Sequence, residues 1–165
     1  MRLLPLFFGS LLLIGALLSG CSSDECTDNR NALPLAGFMN SAPNPSAMSL
    51  NSVTIFGLEN PFDSILVENR SINEVYLPFR IDDKSSTFVF KYNALDSIDP
   101  GLCDTVIFRY DVKPMFTSAA CGATYFFENV TASHTSEFID SIRIPENAIT
   151  NKNAQNIFIY FRTNQ

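Results

Sequence analysis

The sequence has no tryptophan and a single histidine, His134, and both shortages restrict the chemistry that it can carry. A zinc or copper site built from several histidines cannot form from one imidazole. A catalytic histidine would also need a nucleophile and an orienting partner that only the fold could bring to it. Because His134 lies in a polar stretch, residues 131–137, between two apolar segments, we interpret it as an exposed loop residue.

The sequence motifs of common enzyme classes are absent as well. There is no glycine loop for phosphate, no nucleophile elbow and no dinucleotide fingerprint. The densest acidic cluster, Asp96, Asp99 and Asp104, lacks the alternating ligand order of a calcium-binding loop. No two acids lie among the apolar residues that would separate their pKa values. The sequence therefore predicts a protein that is not an enzyme, with no catalytic residue, no metal and no cofactor.

Basic residues are in the minority, with 11 Lys and Arg against 17 Asp and Glu. A surface of net negative charge repels the phosphates of nucleic acids, so we expect no nucleic-acid partner.

One long hydrophobic run is present, and it occupies residues 3–18 after Arg2. It leads into Leu18-Ser19-Gly20-Cys21, which resembles the signal peptide of bacterial lipoproteins with its Leu-(Ala/Ser)-(Gly/Ala)-Cys box. The resemblance implies cleavage before Cys21 and attachment of lipid to it. The run is shorter than the ~20 residues of a membrane-spanning helix and is followed by acidic rather than basic residues. We therefore expect a cleaved signal peptide.

These features divide the chain into three parts. Residues 1–20 are the predicted signal peptide, residues 21–27 the lipidated cysteine with a short acidic tether, and residues 28–165 a single domain. Ser22 after the lipidated cysteine fits the sorting preference for an outer membrane. Ser23-Asp24-Glu25 resembles short acidic tags for export to the cell surface, so the periplasmic and the surface face both stay open. The expected partners are the membrane, through the anchor, and another envelope protein.

Helical periodicity is missing too, and short alternating apolar runs recur between turn residues instead. In the clearest run Val106, Phe108 and Tyr110 alternate with polar residues. Pro78 cannot donate to a strand ladder, so the segment 75–81 should be an edge strand, whereas residues 157–161, apolar on both faces, should be central or covered. The pattern predicts an all-β fold, an antiparallel immunoglobulin-like β-sandwich of about eight strands, with a small closed β-barrel as the alternative.

Short motifs along the domain resemble those of an uncharacterised family of Gram-negative lipoproteins, a domain of unknown function. The motifs are Asp63-Ser64-Ile65-Leu66, Leu77-Pro78-Phe79, Asp104-Thr105-Val106, Phe116-Thr117-Ser118 and Ile139-Asp140-Ser141-Ile142. The resemblance implies a location and a fold, and it implies no activity or site.

A lipid on Cys21 leaves three cysteines, Cys26, Cys103 and Cys121. If residues 105–112 and 124–130 form a hairpin, Cys121 lies near the turn and Cys103 some eight residues away, at ~3.3 Å each. The α-carbons of a disulfide lie within about 7 Å of one another. We therefore predict a disulfide between Cys26 and Cys121, with Cys103 left over.

Four motifs of Asp, then Ser or Thr, then an aliphatic residue resemble the acceptor motif for O-glycosylation in some Gram-negative envelopes. The acceptor hydroxyls would belong to Ser64, Ser97, Thr105 and Ser141. Chance predicts about 0.6 such motifs for this composition. The alternative explanation is that a polar pair leading into an apolar strand is ordinary turn chemistry.

The sequence as a whole is typical of a lipid-anchored, non-catalytic cell-envelope module with a binding or structural role. A glycan-binding accessory lipoprotein of a nutrient-uptake system is an alternative, and without tryptophan its sugar platforms would have to be Tyr76 and Tyr160. An unrecognised envelope hydrolase is a further alternative, and it would need acids that converge in a pocket.

Overall fold

The computed structural model describes residues 31–58, 64–93, 101–118, 122–152 and 154–162. These residues form nine strands and no helix. The strands are β1 (Leu35–Asn40), β2 (Leu50–Leu58), β3 (Ser64–Ile72), β4 (Glu74–Tyr76), β5 (Ser85–Tyr92), β6 (Cys103–Ser118), β7 (Gly122–His134), β8 (Ile139–Arg143) and β9 (Gln155–Phe161). Among the described residues, then, no helix could cross a membrane.

The strands form two sheets, one of four strands in the order β4-β1-β9-β8 and one of five in the order β3-β2-β5-β6-β7. The predicted all-β sandwich is confirmed. Neither sheet closes on itself within the described residues, so the alternative of a small closed barrel is wrong. One pair departs from the antiparallel expectation, because β1 and β9 are parallel. Strands joined by a tight turn have to be antiparallel. β1 and β9 are the first and the last strand, so no such turn connects them and they can pair in parallel.

The alternation of β6 determines which side chains enter the core. Val106, Phe108 and Tyr110 are buried, and Arg109 between them is exposed. Phe79 packs against the rings of Tyr110 at 4.6 Å and of Phe127 at 5.2 Å, measured between ring centroids. β9, apolar on both faces, lies between β1 and β8, so its predicted central position is confirmed.

The edge strand around Pro78 is shorter than the alternation suggested. β4 ends at Tyr76, and the chain continues as an irregular segment with Leu77 and Phe79 still buried. The hydroxyl of Tyr110 donates to the carbonyl of Arg80 at 2.9 Å, and Ser86 Oγ lies 2.6 Å from the same hydroxyl. This segment therefore covers the core without belonging to either sheet.

The sandwich has two ends, which we name for their main features. The arm pole is the end at which β1 and β5 begin and β2 finishes, and β6 and β7 continue beyond it as a two-stranded arm, residues 113–118 and 122–126. The latch pole is the opposite end, at which β6 begins and β5 and β9 finish. The candidate functional features lie at these two ends.

Candidate interaction site at the arm pole

The arm is built by β6 and β7 without help from the rest of their sheet. β5 pairs with β6 only as far as Arg109, whereas β6 and β7 remain paired up to Ser118 and Gly122. One extra residue on β7 shifts the register where the arm leaves the sheet. Asn129 there has a φ of 53°, and its side-chain amide donates to Asp111 at 3.0 Å. Such a bulge bends and twists a strand pair, here at the point where the arm begins.

Two apolar side chains of the arm are exposed. Phe116 is 74% exposed and Met115 41% exposed. A side chain of this size forgoes about 1.5 to 3 kcal/mol of burial free energy when it stays in water. Because much of the apolar surface of these two side chains stays in water, their exposure points to a contact outside the domain.

The other exposed apolar side chains lie at the same end of the molecule. In the described part of the chain these large exposed residues are Leu33, Ile65, Tyr76, Ile81, Met115 and Phe116. Each belongs to a segment at or next to the arm pole, since Ile65 is near the start of β3 and Tyr76 pairs with Leu35 at the start of β1. The latch pole has no such residue among those described.

A shallow groove of about 280 Å³ lies at the arm pole between the β2–β3–β5 edge and the irregular segment after β4. Leu66, Phe79 and Phe88 line its apolar part, and Arg80 and Asp82 line its polar part. Arg80 donates to both carboxylate oxygens of Asp82, each at 3.1 Å. These hydrogen bonds lower the pKa of Asp82, which is opposite to the raised pKa that a general acid needs.

A second groove at the base of the arm is lined by three acids, Asp82, Asp83 and Asp111, together with Lys84. Each acid has a basic partner, because Asp82 and Asp83 contact Arg80 and Asp111 lies 3.7 Å from Lys84. No group of three or more metal-ligating side chains occurs in the described ranges. The arrangement is that of a solvated, charge-paired surface, and it does not favour the hydrolase alternative.

The described chain also enters the domain at the arm pole. Asn31 accepts a hydrogen bond from the backbone N–H of Tyr125 at 3.0 Å, and Ala32 donates to the Tyr125 carbonyl at 2.9 Å. Tyr125 pairs with Pro114 in the arm. The point at which the N-terminal segment joins the domain is therefore two residues along β6 from Phe116.

The latch pole is organised by one buried carboxylate, Asp104, which is 0% exposed. Five donors lie within 2.9 Å of its two oxygens: the hydroxyls of Tyr92 and Thr135 and the backbone N–H groups of Glu137, Phe138 and Ile139. Tyr92 and Asp104 belong to the five-stranded sheet, and Ile139 begins β8 in the other. Asp104 thus ties the two sheets together where the chain crosses between them.

The surroundings of Asp104 change two pKa values. Burial alone would raise the pKa of Asp104, but the backbone N–H donors and the Thr135 hydroxyl lower it more, so that it lies below its ordinary value of 3.8. Burial also raises the pKa of Tyr92, and the adjacent Asp104 charge raises it further. Both shifts keep Asp104 ionised and Tyr92 protonated, the combination in which Tyr92 donates to the carboxylate.

The predicted site residues are only partly within the described chain. Cys21, Cys26, Cys121 and Ser97 lie outside the described residues. Ser64 is exposed at the start of β3 and Ser141 is exposed on β8, so either hydroxyl is accessible. Thr105 is half-buried, and its motif has a structural explanation, because Asp104 is enclosed and Thr105 N–H donates to Thr135. The glycosylation motifs and the Cys26–Cys121 disulfide stay predictions.

Cys103 begins β6 at the latch pole and forms no disulfide with another described residue. The other end of the β6–β7 hairpin is marked by the Ser118–Gly122 pair. Cys26 comes five residues before Asn31, and Cys121 comes four residues before Tyr125. Since Asn31 and Tyr125 are hydrogen-bonded, the predicted Cys26–Cys121 pairing is within reach of the chain.

Three further sequence interpretations concern single side chains. His134 is the last residue of β7, half-buried rather than exposed in a loop, with Nδ1 2.6 Å from the Thr135 carbonyl. Tyr76 and Tyr160 lie two strands and four register positions apart, because Tyr76 pairs with Leu35 and Tyr160 with Met39. They form no shared platform for a sugar ring.

Sequence reasoning did not assign the structural role of Asp104 or the exposure of Phe116, which lie near opposite ends of β6, because it considered them only within an acidic cluster and short motifs. A signal was present for Asp104, because it shares the inward phase of Val106, Phe108 and Tyr110. Phe116 shares the same phase, so periodicity predicts burial, yet it is 74% exposed, beyond the point at which β5 stops pairing with β6. The exposure of Phe116 follows from the length of the neighbouring strand β5, which the sequence of β6 does not contain.

The fold defines the chain as a β-sandwich domain with an apolar arm at one end and a buried carboxylate at the other. The family of unknown function (DUF6452) matches residues 52–161, two thirds of the chain, and the protein belongs to this family. The match includes the arm and Asp104 and leaves out β1. Neither the curated proteins nor the solved structures contain a match to the chain.

Proposed function

We propose that the protein is a lipid-anchored, non-catalytic module of the outer membrane of a Gram-negative cell, with a binding or structural role toward another envelope protein. The observation that carries the proposal is that the exposed apolar side chains gather at the arm pole, where the chain from Cys21 joins the domain. An interaction surface beside a membrane tether fits a partner that is itself bound to the membrane.

The sequence supports the anchor independently of the fold. The apolar run of residues 3–18 and the Leu18-Ser19-Gly20-Cys21 box are the features of a lipoprotein signal peptide. Two or more acyl chains hold a protein at a membrane far more firmly than one. In this proposal the anchored domain binds another envelope protein, and the groove lined by Arg80 and Ile81 is the surface that contacts it.

Metabolic labelling with a fatty acid tests the anchor. We expect the wild-type chain to take up the label and to fractionate with the outer membrane, and Cys21→Ala to abolish both. Cys26→Ala is the matched control, since it removes a nearby thiol and should retain the label. Label that persists in the Cys21→Ala protein would defeat the proposal.

Photo-cross-linking in intact cells tests the surface. A photoreactive residue in place of Ile81 should give a cross-linked product of defined mass. The same residue in place of Ser133, which is exposed on β7 near the latch pole, should not. Equal cross-linking at the two positions would contradict an interaction surface at the arm pole.

A further inference from the structure

The entry point of the chain places the arm next to the tether. Asn31 and Ala32 are fixed to the backbone of Tyr125, and Tyr125 pairs with Pro114. Phe116 lies two residues further along β6, about 7 Å at the rise of a strand. The first described residues and the apolar end of the arm are therefore neighbours.

The length of chain before Asn31 limits how far a lipid on Cys21 can lie from the arm. The ten residues from Cys21 to Asn31 span at most about 35 Å when fully extended. Cys103, at the latch pole, lies eleven residues from Pro114 along β6, a distance of about 36 Å in itself. The arm pole, rather than the latch pole, is the end within easy reach of the anchoring membrane.

The structure of the arm suits the boundary between water and lipid. Met115 pairs with Thr124 and Phe116 with Ala123, so each strand satisfies backbone groups of the other. Backbone groups that are already paired lose less free energy on leaving water than unpaired groups do. The outward-facing backbone groups at the edges of the hairpin need water or headgroups as partners, so the backbone stays at the boundary and only apolar side chains enter the lipid.

The charges on the arm decide what kind of surface it fits. Lys113 is the only basic or acidic residue in residues 113–118 and 122–126, and its Nζ lies 2.6 Å from Glu128. The arm therefore offers no net positive charge to anionic headgroups. Its attraction to a membrane rests on apolar burial and should be insensitive to salt.

We propose that the side chain of Phe116, with Met115 beside it on the opposite face of the hairpin, inserts into the leaflet that holds the Cys21 lipid, so that the arm forms a second, non-covalent contact with the membrane. The inference rests on the lipid anchor proposed above. It fixes the orientation of the domain, with the arm pole toward the lipid and the latch pole away from it.

The absence of tryptophan provides a sharp test. Phe116→Trp places the only indole of the chain at the end of the arm. Ser133→Trp is the matched control, because it lies on the same hairpin near the latch pole. Each lipidated full-length variant is reconstituted into phosphatidylethanolamine vesicles, with and without lipids brominated along their acyl chains, and retention of fatty-acid label is measured in the same samples.

The indole at position 116 should emit at shorter wavelength than the one at position 133 and should lose most of its emission to brominated lipid, at low and high salt alike. Equal emission at the two positions, or no quenching, would overturn the inference. A short-wavelength emission without quenching would also overturn it, since a protein or a second copy would then cover the arm. Loss of the fatty-acid label would show instead that the anchor fails, and the inference would fall with it.

Discussion

The two ends of β6 reverse the usual relation between polarity and burial. At the latch pole a charged residue, Asp104, is completely buried, and at the arm pole an apolar one, Phe116, is three-quarters exposed. Both follow the inward phase of the strand. The buried charge is stable because five donors surround it, whereas most of the Phe116 ring stays in contact with water. One end of the strand serves the fold, and the other end is available for contact.

The comparison can be tested first with two phenylalanines of the same hairpin. Phe127 is buried against Tyr110 and Phe79, so we expect Phe127→Ala to lower the free energy of unfolding by about 3 to 5 kcal/mol. Phe116→Ala should change it by no more than about 0.5 kcal/mol. Urea unfolding followed by circular dichroism measures both. A comparable loss in the two variants would show that the arm is part of the core.

The structural role of Asp104 is tested by Asp104→Asn, which keeps the shape of the side chain and removes its charge. The amide brings donors of its own to a position surrounded by donors, so we expect a loss of about 2 to 4 kcal/mol in the free energy of unfolding. Asp140→Asn is the matched control, because Asp140 is exposed and its contact with Arg162 is long, 3.8 Å. Similar urea midpoints for the two variants would contradict a structural role for Asp104.

The dependence of stability on pH gives the smallest effect. The folded-state pKa of Asp104 is lowered, so its contribution to stability is fully present above the unfolded-state pKa, about 4. It is lost as the pH falls through the lower folded-state pKa. The free energy of unfolding of the wild type should therefore fall more steeply below about pH 4 than that of Asp104→Asn. Parallel curves for the two proteins in urea titrations across this range would count against the lowered pKa.

Much of the fold could be predicted from alternation alone, because the side-chain period of two is a local property of each strand. The inward residues of β6 and the central place of β9 follow from it. The parallel pairing of β1 with β9, and the point at which β6 extends beyond its neighbour β5, depend on residues far apart in the chain. The candidate site was missed for the same reason, since Phe116 has the sequence pattern of a core residue.

The parallel pairing of β1 with β9 has a consequence for the order in which the chain acquires structure. Until residues 155–161 are available, β1 has only the three-residue β4 as a partner. The four-stranded sheet is therefore complete only when residues 155–161 have joined β1, whereas the five-stranded sheet draws on residues 50–134 alone. Contacts between the two ends of a chain also slow folding. We therefore expect the four-stranded sheet to form after the five-stranded one.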